Sequence, residues 1–131
     1  MSKVRSAFAA VLFAAAIGLA FSGCAWFGKE KPANPLVGTW LNVARTTWTI
    51  KENGTYEVDI DHNGWRDSWG KYWIKGDTVT VTGGGGITPK GCDGRGVYRF
   101  VREGDILRLT LVSDACRLRR KNLQLLWRLQ P

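Results

Sequence analysis

Short runs of β-branched and aromatic residues, separated by pairs of turn residues, constrain this chain more than any other feature. The clearest run is 55–61, in which apolar Tyr56, Val58 and Ile60 alternate with acidic residues. A period of two residues places alternate side chains on opposite faces of a strand. Asn53-Gly54 directly precedes the run and is typical of a tight type I′ hairpin turn. The run is therefore predicted to be a strand with one apolar face.

Similar runs follow one another to the end of the chain, and no stretch keeps a helical period over a window of about eleven residues. We predict strands at 36–44, 46–51, 55–61, 68–75, 78–82, 96–102, 106–112 and 123–129, with a flexible glycine-rich loop after residue 82. Strands joined by hairpins form an antiparallel meander, and a long meander tends to close and so remove its edges. The predicted fold class is all-β, a single antiparallel eight-stranded up-and-down barrel. A two-sheet sandwich is the alternative.

The start of the chain is typical of an export signal. Lys3 and Arg5 give a basic start, residues 7–21 are apolar, and small residues then lead to Cys24. This arrangement resembles the lipobox of bacterial lipoproteins, in which the cysteine is lipidated and becomes the mature N-terminus. An uncleaved membrane anchor is the alternative, but the apolar stretch is short for a span of about 20 residues. We divide the chain into a signal peptide (1–23), a lipidated tether (24–35) and a barrel domain (36–131).

The lipoprotein resemblance has consequences for location. It implies palmitate or a similar acyl chain on Cys24, and thus a membrane-anchored protein of the cell envelope that faces the periplasm. Ala25 stands where an aspartate would mark retention at the inner membrane. The resemblance therefore favours the outer membrane.

The two cysteines outside the signal segment are Cys92 and Cys116. An exported protein folds in a compartment where disulfides persist, so this pair is predicted to form a disulfide bond. Two reduced, buried cysteines are the alternative.

Motifs at both ends of the predicted barrel resemble the lipocalin superfamily. Gly38-Thr39-Trp40 matches its Gly-x-Trp motif, and Asp114-Ala115-Cys116, followed by Arg119 and Trp127-Arg128, is similar to small bacterial lipocalin-like domains. The resemblance implies that Trp40 closes one barrel end against Arg128, since a guanidinium over an indole face is attractive. We recognise no C-terminal helix, which secreted lipocalins have.

An eight-stranded barrel is just wide enough to be filled by side chains or to hold one small ligand. If the alternation is right, the inward-facing residues include a set that would contact a ligand: Trp48, Tyr56, Val58, Ile60, Tyr72, Tyr98, Phe100 and Leu109. One interpretation is a hydrophobic pocket with a few phenol groups that orient its ligand. A fully packed core is the other.

Composition excludes several classes of function. His62 is the single histidine, and it lies beside the turn residues Asn63-Gly64, so neither a multi-histidine metal site nor a histidine-dependent nucleophile is expected. We expect no enzyme activity, no metal and no cofactor. The net charge of +8 is typical of proteins that bind nucleic acid, but we expect no such partner, because this protein is predicted to be exported. A monomer is expected.

Two further clusters allow a functional and a simpler interpretation. Arg117, Arg119, Arg120 and Lys121 form a basic cluster, which we interpret as a solvated loop rather than a grip for lipid head groups. Trp65, Trp69 and Trp73 fall at even offsets. We place Trp65 in a turn and interpret the other two as packed aromatics rather than a flat sugar-binding platform.

The function expected from these features is that of a lipid-anchored envelope protein whose barrel binds or carries a small hydrophobic ligand. Two alternatives stay open. One is a periplasmic protein-binding module, such as a hydrolase inhibitor, and the other is a structural lipoprotein without a ligand.

Overall fold

The structure of the barrel comes from a computed structural model that describes residues 33–131. The proposed signal peptide, Cys24 and most of the tether lie outside the described residues. The elements in chain order are β1 (Gly38–Asn42), β2 (Thr47–Ile50), β3 (Thr55–Asp59), β4 (Ser68–Lys75), β5 (Thr78–Gly86), β6 (Gly96–Glu103), β7 (Ile106–Asp114), α1 (Arg117–Leu123) and β8 (Trp127–Leu129). Within this range, no helix is long and apolar enough to cross a membrane.

The strands form a closed barrel in which every strand pairs antiparallel with its neighbours in the chain. Closure depends on β8, which pairs with β7 on one side and with β1 on the other, where Trp40 lies opposite Leu129. The prediction of an eight-stranded up-and-down barrel is confirmed, and the sandwich is excluded. The seam between β7 and β8 is short, since it pairs only Ile106 and Leu107 of β7 with β8.

One predicted loop is part of a strand. Residues 83–86 are all glycine, yet they extend β5 and pair with β4 as far as Ser68. The pairing register shifts between Trp69 and Gly70, and a Cβ at position 70 would overlap the carbonyl oxygen of Thr82. Backbone hydrogen bonds to β4 therefore hold this segment in place, although it has no side chains to pack.

The last predicted strand begins too early. Residues 117–123 form the short helix α1, and β8 is only three residues long. The helix is shorter than the window over which a helical period can be recognised in sequence. Its first turn is capped by Cys116, whose Sγ accepts a hydrogen bond from the amide of Arg119 at 3.3 Å.

The two ends of the barrel carry different connections. Three tight hairpins, at 51–54, 76–77 and 104–105, lie at one end, together with the start of the domain near Leu36. We call this the closed end. The longer connections 43–46, 60–67, 87–95 and 115–126 lie at the other end, which we call the mouth.

Leu36 and Trp40 seal the closed end, and both are 0% exposed. The indole Nε1 of Trp40 donates to the carbonyl of Leu36 at 2.8 Å. Asn34 donates its side-chain amide to the hydroxyl of Tyr72 at 2.9 Å, so the domain's contacts begin two residues before the predicted boundary at 36. Gly38 has φ of 142°, a backbone conformation that residues with a side chain rarely adopt, and a Cβ there would lie 2.7 Å from Cδ1 of Leu129. This explains the glycine of the Gly-x-Trp pattern.

The predicted Trp40–Arg128 pair is wrong. Arg102 lies over the Trp40 ring instead, with its Cζ 5.2 Å from the ring centroid, and it donates to the Pro35 carbonyl at 2.8 Å. Arg128 is exposed, because the alternation along β8 turns Trp127 into the core and Arg128 outward. Adjacent residues of a strand face opposite sides of the sheet, so only one residue of a Trp-Arg pair can face the interior.

Candidate functional site

A cavity of about 300 Å³ lies in the mouth half of the barrel. Its floor contains Trp48, Tyr56 and Trp127, whose rings pack on one another at centroid distances of 6.2 Å (Trp48–Tyr56) and 5.6 Å (Trp48–Trp127). The side chains of Val58 and Val81 form an aliphatic part of its wall. Ligand pockets are typically 300–1,000 Å³ and mostly apolar, so this cavity is at the small end of that range.

Glycines lie around this space. Gly83 and Gly85 line the cavity, and the adjacent Gly70 is buried. A Cβ at position 85 would lie 2.7 Å from the Trp69 ring, and one at position 70 would overlap the Thr82 carbonyl oxygen, so these two glycines allow a close approach of ring and backbone. In the closed half, Leu36, Trp40 and Val79 are fully buried.

A buried ion pair supports one side of the cavity. The carboxylate of Asp114 is fully buried and accepts two hydrogen bonds from Arg119, at 2.6 Å from Nε and 2.7 Å from Nη2. Tyr98 donates its hydroxyl to the same carboxylate, and the amide of Cys116 donates at 2.9 Å. Gly96 makes this approach possible, since a Cβ at that position would lie 2.5 Å from Oδ2 of Asp114.

The ion pair shifts the titration of its members. Burial alone would raise the pKa of Asp114, but the hydrogen bonds from Arg119 and Tyr98 outweigh it and hold that pKa below its usual value. Burial, followed by the hydrogen bond to Asp114, raises the pKa of Tyr98. Both residues thus keep their ordinary charge states at neutral pH. Asp114 and Arg119 belong to the Asp-x-Cys-x-x-Arg stretch noted in the sequence, and they serve the architecture of the wall.

The predicted disulfide is confirmed. Cys92 and Cys116 are bonded, and both line the cavity. Cys92 comes from the connection 87–95 and Cys116 from the N-cap of α1. The bond therefore joins two of the four connections that surround the mouth.

The eight residues predicted to contact a ligand divide into two groups. Trp48, Tyr56, Val58 and Ile60 line the cavity, although Ile60 lies at its rim and is 44% exposed. The other four are buried in the packed core away from the cavity: Tyr72, Tyr98, Phe100 and Leu109. Their interior positions are confirmed, but a role in ligand contact is not supported, because the closed half of the barrel is filled.

The phenol groups do not have the predicted orienting role. Tyr56 donates to the Thr82 carbonyl at 3.0 Å, Tyr72 donates to the Lys51 carbonyl at 2.5 Å, and Tyr98 donates to Asp114. Every tyrosine hydroxyl of the chain is thus already engaged within the protein. The walls of the cavity consequently offer a ligand mainly apolar contact.

Sequence reasoning missed several residues of the cavity. The period-two pattern is sufficient to predict that Trp127 faces inward, but the Trp-Arg motif implies a role for Arg128 instead. The contributions of Ile87, Leu118 and Leu125 could not be inferred, because they come from connections whose path depends on the disulfide and on α1. Asn122 donates to Thr46 at 2.9 Å and accepts from Asn42 at 3.0 Å, which fixes the end of α1 against the first turn.

The basic cluster is only partly solvated. Arg119 forms the buried ion pair with Asp114, whereas Arg117 and Lys121 are exposed on the helix. Lys121 and Arg119 are the cationic residues that line the cavity, and no acidic residue of the described chain lines it.

The connection 60–67 is organised by acidic side chains. Asp59 accepts from the amides of Asn63 and Gly64, at 3.1 and 2.8 Å, and Asp67 accepts from the amide of Ile60 at 2.7 Å. One carboxylate oxygen from each of Asp59, Asp61 and Asp67 lies within 4.8 Å of the others. These contacts shape an exposed turn, and they do not by themselves make a metal site.

His62 and the tryptophans occupy structural positions. His62 has φ of 57° in the turn, as predicted, and its Nδ1 lies 2.7 Å from the Thr47 hydroxyl. Trp65 belongs to the same connection and is 78% exposed. Arg66 covers Trp69 at 4.0 Å, and Arg95 lies 5.3 Å from Trp73. The three tryptophans do not form one flat platform.

Comparisons with known proteins leave the chain without an assigned family: no family model, no curated protein and no solved structure matches it.

Proposed function

We propose that this protein binds a small, mostly hydrophobic molecule in the cavity at the mouth of its barrel. The observation that carries the proposal is an apolar cavity of about 300 Å³, lined by Trp48, Val58 and Trp127 at the end with the longer connections. The volume equals about ten water molecules at about 30 Å³ each, so a ligand of about a dozen non-hydrogen atoms would fill it.

Burial of apolar surface would drive this binding. Transfer of apolar area out of water contributes about 25 cal/mol per Å², and the cavity walls offer few polar groups that a ligand would have to match. The ligand's own polar group would stay at the opening, near Lys121 on α1. We expect micromolar affinity, which corresponds to about −8 kcal/mol.

A calorimetric titration with decanoate tests the proposal. Decanoate has the required size, and wild-type protein should bind it with one-to-one stoichiometry. The Val58→Trp variant should lose binding, because the larger side chain fills the cavity. The Val101→Trp variant is the matched control: Val101 is 55% exposed on the outer wall and should bind as wild type does.

Near-ultraviolet circular dichroism keeps this experiment interpretable, because it reports whether each variant retains its packed tryptophans. If folded wild-type protein and both folded variants show no saturable binding, the ligand proposal fails. The structural-lipoprotein and protein-binding alternatives would then take its place.

We further propose that the barrel is attached to the cell envelope through a lipid on Cys24, on the periplasmic side and at the outer membrane. The support is the signal-like sequence before Cys24, together with the Cys92–Cys116 disulfide, which is typical of exported proteins. Labelled palmitate should be incorporated into wild-type protein but not into the Cys24→Ser variant. Equal labelling of the two would contradict the lipoprotein assignment.

A further inference from the structure

The rim of the mouth carries an exposed aliphatic side chain on each of its four connections. Val43 is 74% exposed on 43–46, Ile60 is 44% exposed on 60–67, and both Ile87 and Leu118 are 58% exposed on the other two connections. The hairpins of the closed end have the sequences Lys-Glu-Asn-Gly, Gly-Asp and Gly-Asp, with no hydrophobic residue. Of the eight exposed large hydrophobic residues in residues 33–131, these four and Trp65 lie on the connections of the mouth, and the other three lie on the outer faces of strands.

The two ends of the barrel also differ in charge. The four connections of the mouth contain eight Arg and Lys residues against three Asp, whereas the three hairpins of the closed end contain one Lys against three acidic residues. Arg119 is neutralised by Asp114, but Arg117, Arg120 and Lys121 follow one another on α1 beside Leu118. Three of the eight basic residues of the mouth therefore lie close to one exposed aliphatic residue.

We propose that the mouth of the barrel docks on an anionic lipid bilayer. Aliphatic side chains that protrude between cationic ones suit a membrane interface, where the apolar groups enter the head-group region and the cations meet anionic lipids. Each of the four connections contributes one aliphatic side chain to this surface, and Lys and other charged residues are depleted from the cores of protein interfaces, which favours a lipid surface over a protein partner.

Docking at the mouth would also determine how a ligand enters the cavity. The rim residues Ile60, Ile87 and Leu118 line the cavity as well, so its opening lies within the proposed contact surface. A hydrophobic molecule could then pass between the bilayer and the cavity without crossing water. This second point rests on the proposed function, whereas docking itself does not require a ligand.

A local fluorescence reporter tests the docking surface in the full-length chain. The Leu118→Trp variant places a reporter at the rim, and Val101→Trp places one on the outer wall at a similar exposure, 55% against 58%. Vesicles would contain phosphatidylcholine with brominated acyl chains and about one third phosphatidylglycerol. The fluorescence added by Leu118→Trp should be quenched by the bromine atoms, and that added by Val101→Trp should not.

Charge reversal provides the second arm. Combining Arg117→Glu, Arg120→Glu and Lys121→Glu in the reporter protein should raise the half-saturating lipid concentration about 100-fold, since each basic residue near an anionic surface contributes about one factor of five. The matched control reverses three exposed basic residues of the outer wall, Lys75, Arg99 and Arg108, and should leave quenching at position 118 unchanged.

Three outcomes overturn the inference. Equal quenching at positions 118 and 101 would mean that a different part of the chain directs membrane contact, and no quenching at 118 would mean that the mouth does not enter lipid. If the reporter at 118 responds to soluble polyglutamate but not to vesicles, the surface fits an acidic protein instead. A failure of decanoate binding with normal quenching would reject only the proposed ligand.

Discussion

The closed end and the mouth are built from the same eight strands, but they differ in what fills them. At the closed end, Leu36, Trp40 and Val79 are fully buried. Toward the mouth, a cavity of about 300 Å³ lies beside Trp48 and Trp127. In a barrel of this size, one half can therefore be packed with side chains while the other half keeps room for a small molecule. Five predictions test this division, beginning with the largest expected effect.

The Trp40→Ala variant should break the closed end. Removing a fully buried indole should lower the free energy of unfolding by about 3–5 kcal/mol. Trp73→Ala is the matched control, because Trp73 is 43% exposed on the outer wall and should cost less than about 1 kcal/mol. Urea unfolding measures both values. Equal losses would mean that the closed end is not the packed half of the barrel.

The Arg119→Met variant should break the wall of the mouth. It leaves the Asp114 carboxylate buried without its partner, and such losses cost about 3–5 kcal/mol at neutral pH. Arg120→Met on the same helix serves as the control and should have a small effect, because Arg120 takes no part in the ion pair.

The cost of Arg119→Met should depend on pH. The pKa of Asp114 in the folded protein lies below its unfolded value of about 3.9, so the stability it contributes is present above that value and is lost as the pH falls through the folded pKa. In the variant, burial without the guanidinium raises the same pKa. The difference in unfolding free energy between wild type and variant should therefore shrink as the pH falls from the raised pKa of the variant toward the lowered pKa of the wild type. A difference independent of pH would contradict the ionic role of this pair.

Replacing both cysteines, Cys92→Ser with Cys116→Ser, should loosen the mouth without opening the closed end. The bond links residues 24 positions apart, and closing such a loop contributes about 3 kcal/mol. Decanoate should bind the variant more weakly, because two of the connections around the cavity lose their covalent link. An unchanged affinity together with lower stability would separate the disulfide from the shape of the cavity.

The smallest predicted effect concerns the cation over Trp40. Arg102→Ala should cost about 1 kcal/mol, and Arg128→Ala should stay within about 0.5 kcal/mol of wild type. A double-mutant cycle with Trp40→Leu should show coupling for Arg102 and additive losses for Arg128. Coupling to Arg128 instead would restore the pairing that the motif implied.

The sequence was sufficient for those parts of the fold that depend on local periodicity. Hairpin turns such as Asn53-Gly54 and alternating runs such as 55–59 located the strands, and closure followed from their number. The interior positions of Trp48, Tyr72 and Phe100 followed from the same alternation. These features are encoded within a few residues of chain, so they can be recognised without knowledge of distant contacts.

The site was harder to predict because its geometry depends on contacts between distant residues. The ion pair with Asp114 turns Arg119 inward, although the sequence predicts a solvated position for it. The disulfide and the hydrogen bonds of Asn122 hold α1 in place. The glycine run 83–86 resembled a flexible loop, although pairing with β4 makes it a strand. The disulfide and the β4–β5 pairing join residues that are distant in sequence, whereas the ion pair spans only five residues and its inward direction depends on the burial of the Asp114 carboxylate.

The direction of the first and last strands has a practical consequence. β1 runs from the closed end toward the mouth, and β8 pairs antiparallel to it and returns, so both termini of the barrel domain leave at the closed end. The amide of Gln130 bonds the Thr39 carbonyl at 2.8 Å, which keeps the final residues beside the first strand. An affinity tag, a sensor surface or a fused second protein can therefore be attached at either terminus while the opening points away from the support. The proposed decanoate binding can then be measured on immobilised protein with the rim unobstructed.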